Sequence, residues 1–383
     1  MLSQRVRNIA PSATLAIDSK AKQLKKEGKD VVIFGAGEPD FNTPENIKQA
    51  AKKAIDSNIT RYTPVGGMPE LKKAVAEKFR DFNKINYDVS EIIIGCGGKH
   101  ILFNTMMAVL DKGDEAILPV PFWVSFEEMI KLAEAKVKLC PTDEKFKLTA
   151  DSIEEKITDK TKLLILNSPS NPSGAIVEPS EIKKIAKLAV ENNFYVISDE
   201  VYEHFTYGKE HLSIASLNDE IKKLTITCNS VSKTYAMTGW RIGYCGAAKE
   251  VITAMENLQG HSTSNPSNIA QMAALEALKG PQDSIKEMLK AFDERRKFIH
   301  KRLNEIEGVS CVEPEGAFYA FPDISGTGMD SMNFSSKLLD EALVAVVPGM
   351  AFGKEGHVRL SYATSMHEIE RGMDRIVKWL KKR

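Results

Sequence analysis

The sequence predicts an α/β protein, in which a mostly parallel sheet carries helices on both faces and a smaller α/β domain is joined to it. Three observations carry that prediction. From about residue 90 to 250, short apolar runs alternate with segments of helical periodicity, the order produced when helices cross over between parallel strands. The 383-residue chain exceeds the roughly 250 to 300 residues that one hydrophobic core supports, so two domains are expected. Beyond a long charged helix at 283–307, where the hinge between domains is placed, strands and helices resume in shorter alternation.

The elements follow in order. Residues 12–28 have apolar positions at helical spacing and end on Gly28, a helix with Ser12 near its cap. A short strand at 30–34 enters GAGEPDF. Gly35 and Gly37 lack the third glycine of a dinucleotide fingerprint, and Pro39 would interrupt the helix that fingerprint needs. A tight loop remains, in which Gly37 lets a substrate approach the backbone. Helices are predicted at 44–57 and 68–83, the second with Pro69 in its first turn, and the loop RYTPVGG between them carries Tyr62. A strand at 91–94 passes through GCGG into an apolar helix beginning near Lys99. There the free backbone N–H groups of the turn and the positive helix end make an anion site.

A strand at 115–119 precedes PFWVS, with Trp123 at the mouth of a helix. A buried strand at 161–166 ends in NSPSNPSG, a cluster of turn residues that includes Asn171. After a helix at 180–193, the strand in FYVISDEVY runs into Asp199 and Glu200. Acids in that position either cap the next helix, the commoner case, or reach into a site at the carboxyl edge of a parallel sheet. Strands at 224–228 and 240–247 flank a polar loop carrying Lys233. Helices at 249–260 and 265–279 follow, and the remainder alternates strands (309–312, 317–322, 343–347, 357–363) with helices (331–341, 365–382).

The loop around Lys233 concentrates chemistry. A lysine amine attacks a carbonyl only when desolvation or a neighbouring cation lowers its pKa, and Arg241 lies on the next predicted strand. Ser230, Ser232 and Thr238 add hydroxyls. An amine, a guanidinium and hydroxyls on one loop suit a phosphate-bearing aldehyde, which needs an anion clamp beside an imine-forming amine.

Composition narrows the partners. Hydrophobic residues make up 43%, charged residues 27%, and the formal net charge is zero, which gives no support for a nucleic acid and favours a small-molecule substrate. The five cysteines form no CxxC pair and are expected to be buried free thiols in a reducing compartment. The opening residues lack a signal-peptide apolar region and no run approaches the ~20 apolar residues of a membrane span, so a cytoplasmic protein is expected. The seven histidines show no metal-ligand spacing, and no metal is expected.

The run SVSKTYAMTGWRIGY resembles the pyridoxal-phosphate attachment signature of class I aminotransferases. With GEPDF, RYTPVGG, GGKHILFN, PFWVS, NSPSNPSG, SDEVYEH, PEGAFYAF and HVRLSYATS in the same order, nearly the whole chain resembles the fold-type-I family and, within it, the prokaryotic aspartate aminotransferase subgroup. The resemblance implies a large cofactor-binding domain at 46–280 with a seven-stranded sheet, and a small domain built from both termini, 1–45 and 281–383.

It also implies roles. Lys233 would hold pyridoxal 5'-phosphate covalently and shuttle the substrate proton, Asp199 would pair with the pyridinium nitrogen, and Tyr202 and Asn171 would hydrogen-bond the phenolic oxygen. Trp123 would stack on the ring. Gly98, Lys99, Ser230, Ser232 and Arg241 would hold the phosphate, with Tyr62 reaching the phosphate of a partner subunit, so a homodimer with shared sites is implied. Arg359 would clamp the α-carboxylate of amino-acid and 2-oxo-acid substrates, helped by Gly37 and Asn171. A buried strand arginine without an acidic partner is costly, which favours a ligand role. Lys99 resembles the residue that recognises a distal carboxylate, with Ser12 and Thr14 nearby.

Transamination of L-aspartate with 2-oxoglutarate is therefore the leading expectation. Aminotransferases for alanine, aromatic amino acids or prephenate, and a β-lyase, share the fold. Relatives using prephenate tend to carry a basic residue where this chain has Ala10, which disfavours that substrate. A ligand-sensing regulator is disfavoured by neutral charge and by the absence of a winged-helix extension.

Overall fold

A computed structural model describes residues 2–7, 9 and 13–383, without the side chains of 4, 5, 13–16 and 18. The expectations placed on Ser12 and on the side chain of Thr14 lie outside the described residues.

The strands are β1 (Val32–Ile33), β2 (Ile92–Gly95), β3 (Glu115–Val120), β4 (Lys136–Pro141), β5 (Thr161–Asn167), β6 (Tyr195–Asp199), β7 (Thr225–Ser230), β8 (Gly243–Gly246), β9 (Tyr319–Ala320), β10 (Val344–Ala345), β11 (Val347–Pro348) and β12 (Val358–Ser361). Seven of them form one sheet in the order β2-β8-β7-β6-β5-β3-β4. β8 runs antiparallel to both neighbours and the other pairings are parallel, as a mostly parallel sheet requires. The edge strand β4 escaped the sequence reading because Lys136, Lys138 and an exposed Leu139 break up its apolar pattern.

Successive strand residues are buried on alternate faces of the sheet, with the two-residue period of the strands. Ala116, Leu118, Leu163, Ile165 and Ile197 enter a core with helices Gly98–Val109, Ser125–Leu132 and Lys249–Gly260. Ile117, Leu164, Leu166 and Val196 enter another with helix Pro179–Asn192. Both faces of the sheet are thereby covered, which is why its central strands are apolar throughout.

A separate core gathers Phe292, Phe318, Phe334 and Trp379 from the C-terminal third with Val32 and Phe34 from near the N-terminus. β1 joins it by pairing in parallel with β10, and Gly372 of helix Met366–Leu380 packs so closely on Phe34 that a Cβ there would meet its ring at 2.4 Å.

Several boundaries differ from the sequence reading. The strand expected at 309–312 is a single bridge from Ser310 to Asp323. The one expected at 343–347 divides into β10 and β11, which pair with different neighbours, β1 and β12. The helix expected at 68–83 ends as Pro69–Lys78 and continues as a π-helical turn, Phe79–Asn83, stopped by Lys84 at φ 63°.

Candidate active site

A cavity of about 510 Å³ opens at the carboxyl ends of β2, β5, β6 and β7, the edge where parallel sheets bind ligands. Antiparallel β8 presents its opposite end there, which puts Arg241, two residues before the strand, at the same edge. Residues 35–38, β9 and β12 close the cavity from the second core. Among the described residues, every site residue expected from the sequence lines it except Tyr62, which is 92% exposed and lies outside the cavity.

The Lys233 segment, expected as a polar loop, contains a helical turn, Val231–Thr234. Ser230 ends β7 in an extended conformation, and its hydroxyl accepts a hydrogen bond from the Ser232 N–H at 3.2 Å, capping that turn. Lys233 is thereby aimed inward, and its Nζ donates to the carbonyl of Gly37. Burial pulls the amine down to about 8; Arg359 and Arg241 act in the same direction, and Glu38 and Asp199 oppose them. A lysine in that state is a nucleophile near neutral pH.

Asp199 closes β6 and is buried. Its carboxylate accepts a hydrogen bond from the Val201 N–H at 3.3 Å, in a turn and not a helix, so the capping alternative falls. Burial raises its pKa to about 7, with Glu200 adding and Lys233 opposing. A cationic ligand N–H beside it would return the carboxylate to its ionised form.

At the β2 end, Gly97 adopts φ +92° ahead of helix Gly98–Val109. A Cβ there would stand 2.2 Å from Arg241 Nη2, and a Cβ on Gly243 would stand 2.3 Å from the Gly98 nitrogen. Only glycines let guanidinium, helix N-terminus and strand approach so closely. Arg241, itself left-handed at φ 56°, is braced by donating from Nη1 to Thr238 O at 2.7 Å. A cation set against a helix N-terminus is a phosphate-binding arrangement.

On the opposite wall, Arg359 of β12 donates to Asn171 Oδ1 and to Gly35 O, both at 2.9 Å. Its Nε is buried and has no hydrogen-bond partner among the described residues, and the guanidinium lies 4.6 Å from the Tyr319 ring centre. Burial lowers its pKa. An anion in the cavity would supply the missing acceptor. Lys99 Nζ rests 4.8 Å from the Trp123 ring centre, and burial, then Arg241, depresses its pKa.

Several cavity residues in the motifs went unassigned, among them two with hydrogen bonds across the cavity wall. Glu38, in GEPDF, accepts from the Thr238 hydroxyl at 2.7 Å, and Tyr319, in PEGAFYAF, hydrogen-bonds Tyr202 hydroxyl to hydroxyl at 2.7 Å. The motif strings contained both residues, but only the fold shows which of their side chains turn inward.

The donor set fits pyridoxal phosphate: a glycine cradle with a cation for the phosphate, a desolvated amine for the aldehyde, and a buried carboxyl for the ring nitrogen. Comparison with known proteins agrees. Residues 29–376 match the model of "Aminotransferase class I and II". The chain is 49% identical to an aspartate aminotransferase of Bacillus sp. (strain YM-2), over 100% of this chain and 99% of the other. It is 46% identical to a probable aspartate/prephenate aminotransferase of Aquifex aeolicus, over 99% and 98%. The solved aspartate aminotransferase from Thermus thermophilus with maleate superposes with a TM-score of 0.96 at 42% identity, covering 99% of each chain. The chain belongs to the class I and II aminotransferases, a pyridoxal-phosphate-dependent family of fold type I.

Proposed function

We propose that the protein transfers the amino group of L-aspartate to 2-oxoglutarate, giving oxaloacetate and L-glutamate. The observation that carries this reading is a second cation, Lys99, lining the same cavity as the Arg359 guanidinium, so that a substrate with two carboxylates is held at both ends. Similarity to relatives named aspartate aminotransferase supports it.

Bound pyridoxal phosphate supplies the electron sink that makes the substrate Cα proton removable. Gly98, Lys99, Ser230, Ser232 and Arg241 would hold its phosphate, Asp199 would hold the proton on its ring nitrogen, and Trp123 would pack against its ring. Tyr202 and Asn171 would donate to its phenolic oxygen. Arg359, with Gly37 and Asn171, orients the α-carboxylate. The Lys233 amine, brought down to about 8 by burial, is the group that would hold and move the substrate Cα proton.

The surface position of Tyr62 supports a homodimer in which each subunit completes the other's phosphate site. The two sets of cores support a division into 46–280 and the two terminal portions. A cytoplasmic location is supported by five free cysteines and by the lack, among described residues, of a helix long and apolar enough to cross a membrane. Prephenate is the second reading, favoured by the relatives named for it and opposed by Ala10.

The test is the absorption spectrum of the cofactor-loaded protein before and after L-aspartate without a 2-oxo acid. A long-wavelength band that collapses on adding aspartate is expected. A band indifferent to aspartate would sink the specificity, and no band at all would sink the chemistry.

A further inference from the structure

We infer that Tyr319 is a positioning residue that serves two partners at once, its hydroxyl orienting Tyr202 and its ring seating the Arg359 guanidinium. The inference rests on the functional reading above, because it assigns Tyr202 to the cofactor's phenolic oxygen and Arg359 to the α-carboxylate.

Tyr319 is 1% exposed and sits on β9, paired with the strand that carries Arg359 through the register Leu360 to Ala320 and Ser361 to Tyr319. Its hydroxyl lies 2.7 Å from that of Tyr202, which stands on the turn after β6. Its ring lies 4.6 Å from the guanidinium carbon. Gly37 makes room: a Cβ there would come within 3.1 Å of the Tyr319 hydroxyl. One side chain thus spans from the second core to the sheet edge and touches both groups.

The direction of the hydrogen bond follows from counting protons. A phenol has one proton to donate and lone pairs to accept with. If Tyr202 gives its proton to a ligand, the bond between the two tyrosines must run from Tyr319 to Tyr202. Accepting it fixes the Tyr202 rotor and strengthens Tyr202 as a donor, since hydrogen bonds in a chain polarise one another. Burial raises the pKa of both phenols, so the pair stays neutral and keeps both protons.

Tyr319→Phe removes the hydroxyl and keeps the ring; Tyr319→Leu removes both. Each is read by the pH midpoint of the long-wavelength band of the loaded protein and by the dissociation constant of maleate, a four-carbon dicarboxylate. Donation from Tyr202 competes with the titrating proton for the phenolic oxygen, so a weakened donor raises the midpoint. Tyr319→Phe is expected to raise it by about half to one unit, a threefold to tenfold gain in proton affinity, with maleate binding within about twofold of wild type. Tyr319→Leu should raise the midpoint similarly and weaken maleate about tenfold, the size expected for losing a buried cation–π contact. An unmoved midpoint in Tyr319→Phe, with a normal wild-type band, overturns this assignment alone. Unchanged maleate affinity in Tyr319→Leu overturns the ring's role, and a wild-type protein without a band overturns the functional reading and this inference together.

Discussion

Two buried polar clusters sit side by side at the end of β6 and behave in opposite ways. Asp199 faces the cavity, where its carboxylate meets the Val201 N–H and a lysine whose own pKa burial has lowered, and burial drives the Asp199 pKa up. Glu200 and Glu203 face away, and all four of their carboxylate oxygens already accept hydrogen bonds, from Ser198, Ser213, Asn83, Asn229 and Lys78. Burial would raise the Glu203 pKa, but Lys78, His204 and His211 outweigh it, and the group is held below the usual carboxylate range. The difference lies in saturation. Glu200, Glu203 and His211 have ligand atoms within 4.8 Å of one another, the spacing of a metal site, yet those carboxylates are committed to the protein. The cavity cluster keeps an Arg359 Nε with no partner among the described residues and a lysine whose pKa burial has lowered to about 8. Buried polar groups left short of partners mark the place where a ligand completes the structure.

The comparison predicts that changes in the open cluster cost activity and changes in the closed one cost stability. The largest effect belongs to Lys233→Ala, expected to slow conversion by L-aspartate about 10⁴-fold, about 5 kcal/mol in the barrier, in stopped-flow spectra. A loss under tenfold would remove Lys233 from the chemistry. Next is Lys78→Met, which leaves Glu203 buried without its cation. Urea denaturation should show a loss of about 3–5 kcal/mol, with turnover per folded molecule retained, and the reverse pattern would erase the distinction between the clusters.

Asp199→Asn should split the two properties. In the cofactor-free protein the Asp199 pKa stands near 7 against an ordinary 3.8, so the folded state holds the extra proton between those values and stability falls as pH rises through them. The amide removes that penalty. Cofactor-free Asp199→Asn is expected to be more stable than wild type by about 2–4 kcal/mol at pH 8, less so at pH 5, while the loaded variant loses activity; equal melting curves at both pH values would refute it. The smallest effect sharpens the substrate side. Lys99→Gln should raise the Michaelis constant for aspartate about tenfold to thirtyfold, about 1.5–2 kcal/mol, and that for alanine far less. Equal changes for both would end the distal-carboxylate role.

The sequence by itself determined the sheet class, most of the elements between residues 90 and 280 apart from the edge strand β4, and the principal polar residues of the cavity. It could do so because apolar periodicity reports burial locally, because the hydroxyls and cations around Lys233 occur in one short run, and because the remaining site residues stand in motifs that resemble those of a known family. Boundaries in the C-terminal third were less legible. β10 and β11 are each two residues long, and their division is set by partners, β1 and β12, rather than by their own residues. What only the tertiary structure decided is which polar groups meet. Glu200 and Asp199 are adjacent acids, and only the alternation of the strand end sends one to the ligand and the other into a saturated network. Tyr319 and Glu38 were present in the quoted motifs, yet their contacts with Tyr202 and Thr238 join segments far apart in the chain. Long-range pairing depends on how the sheet edge and the second core close on each other, and no local pattern encodes that distance.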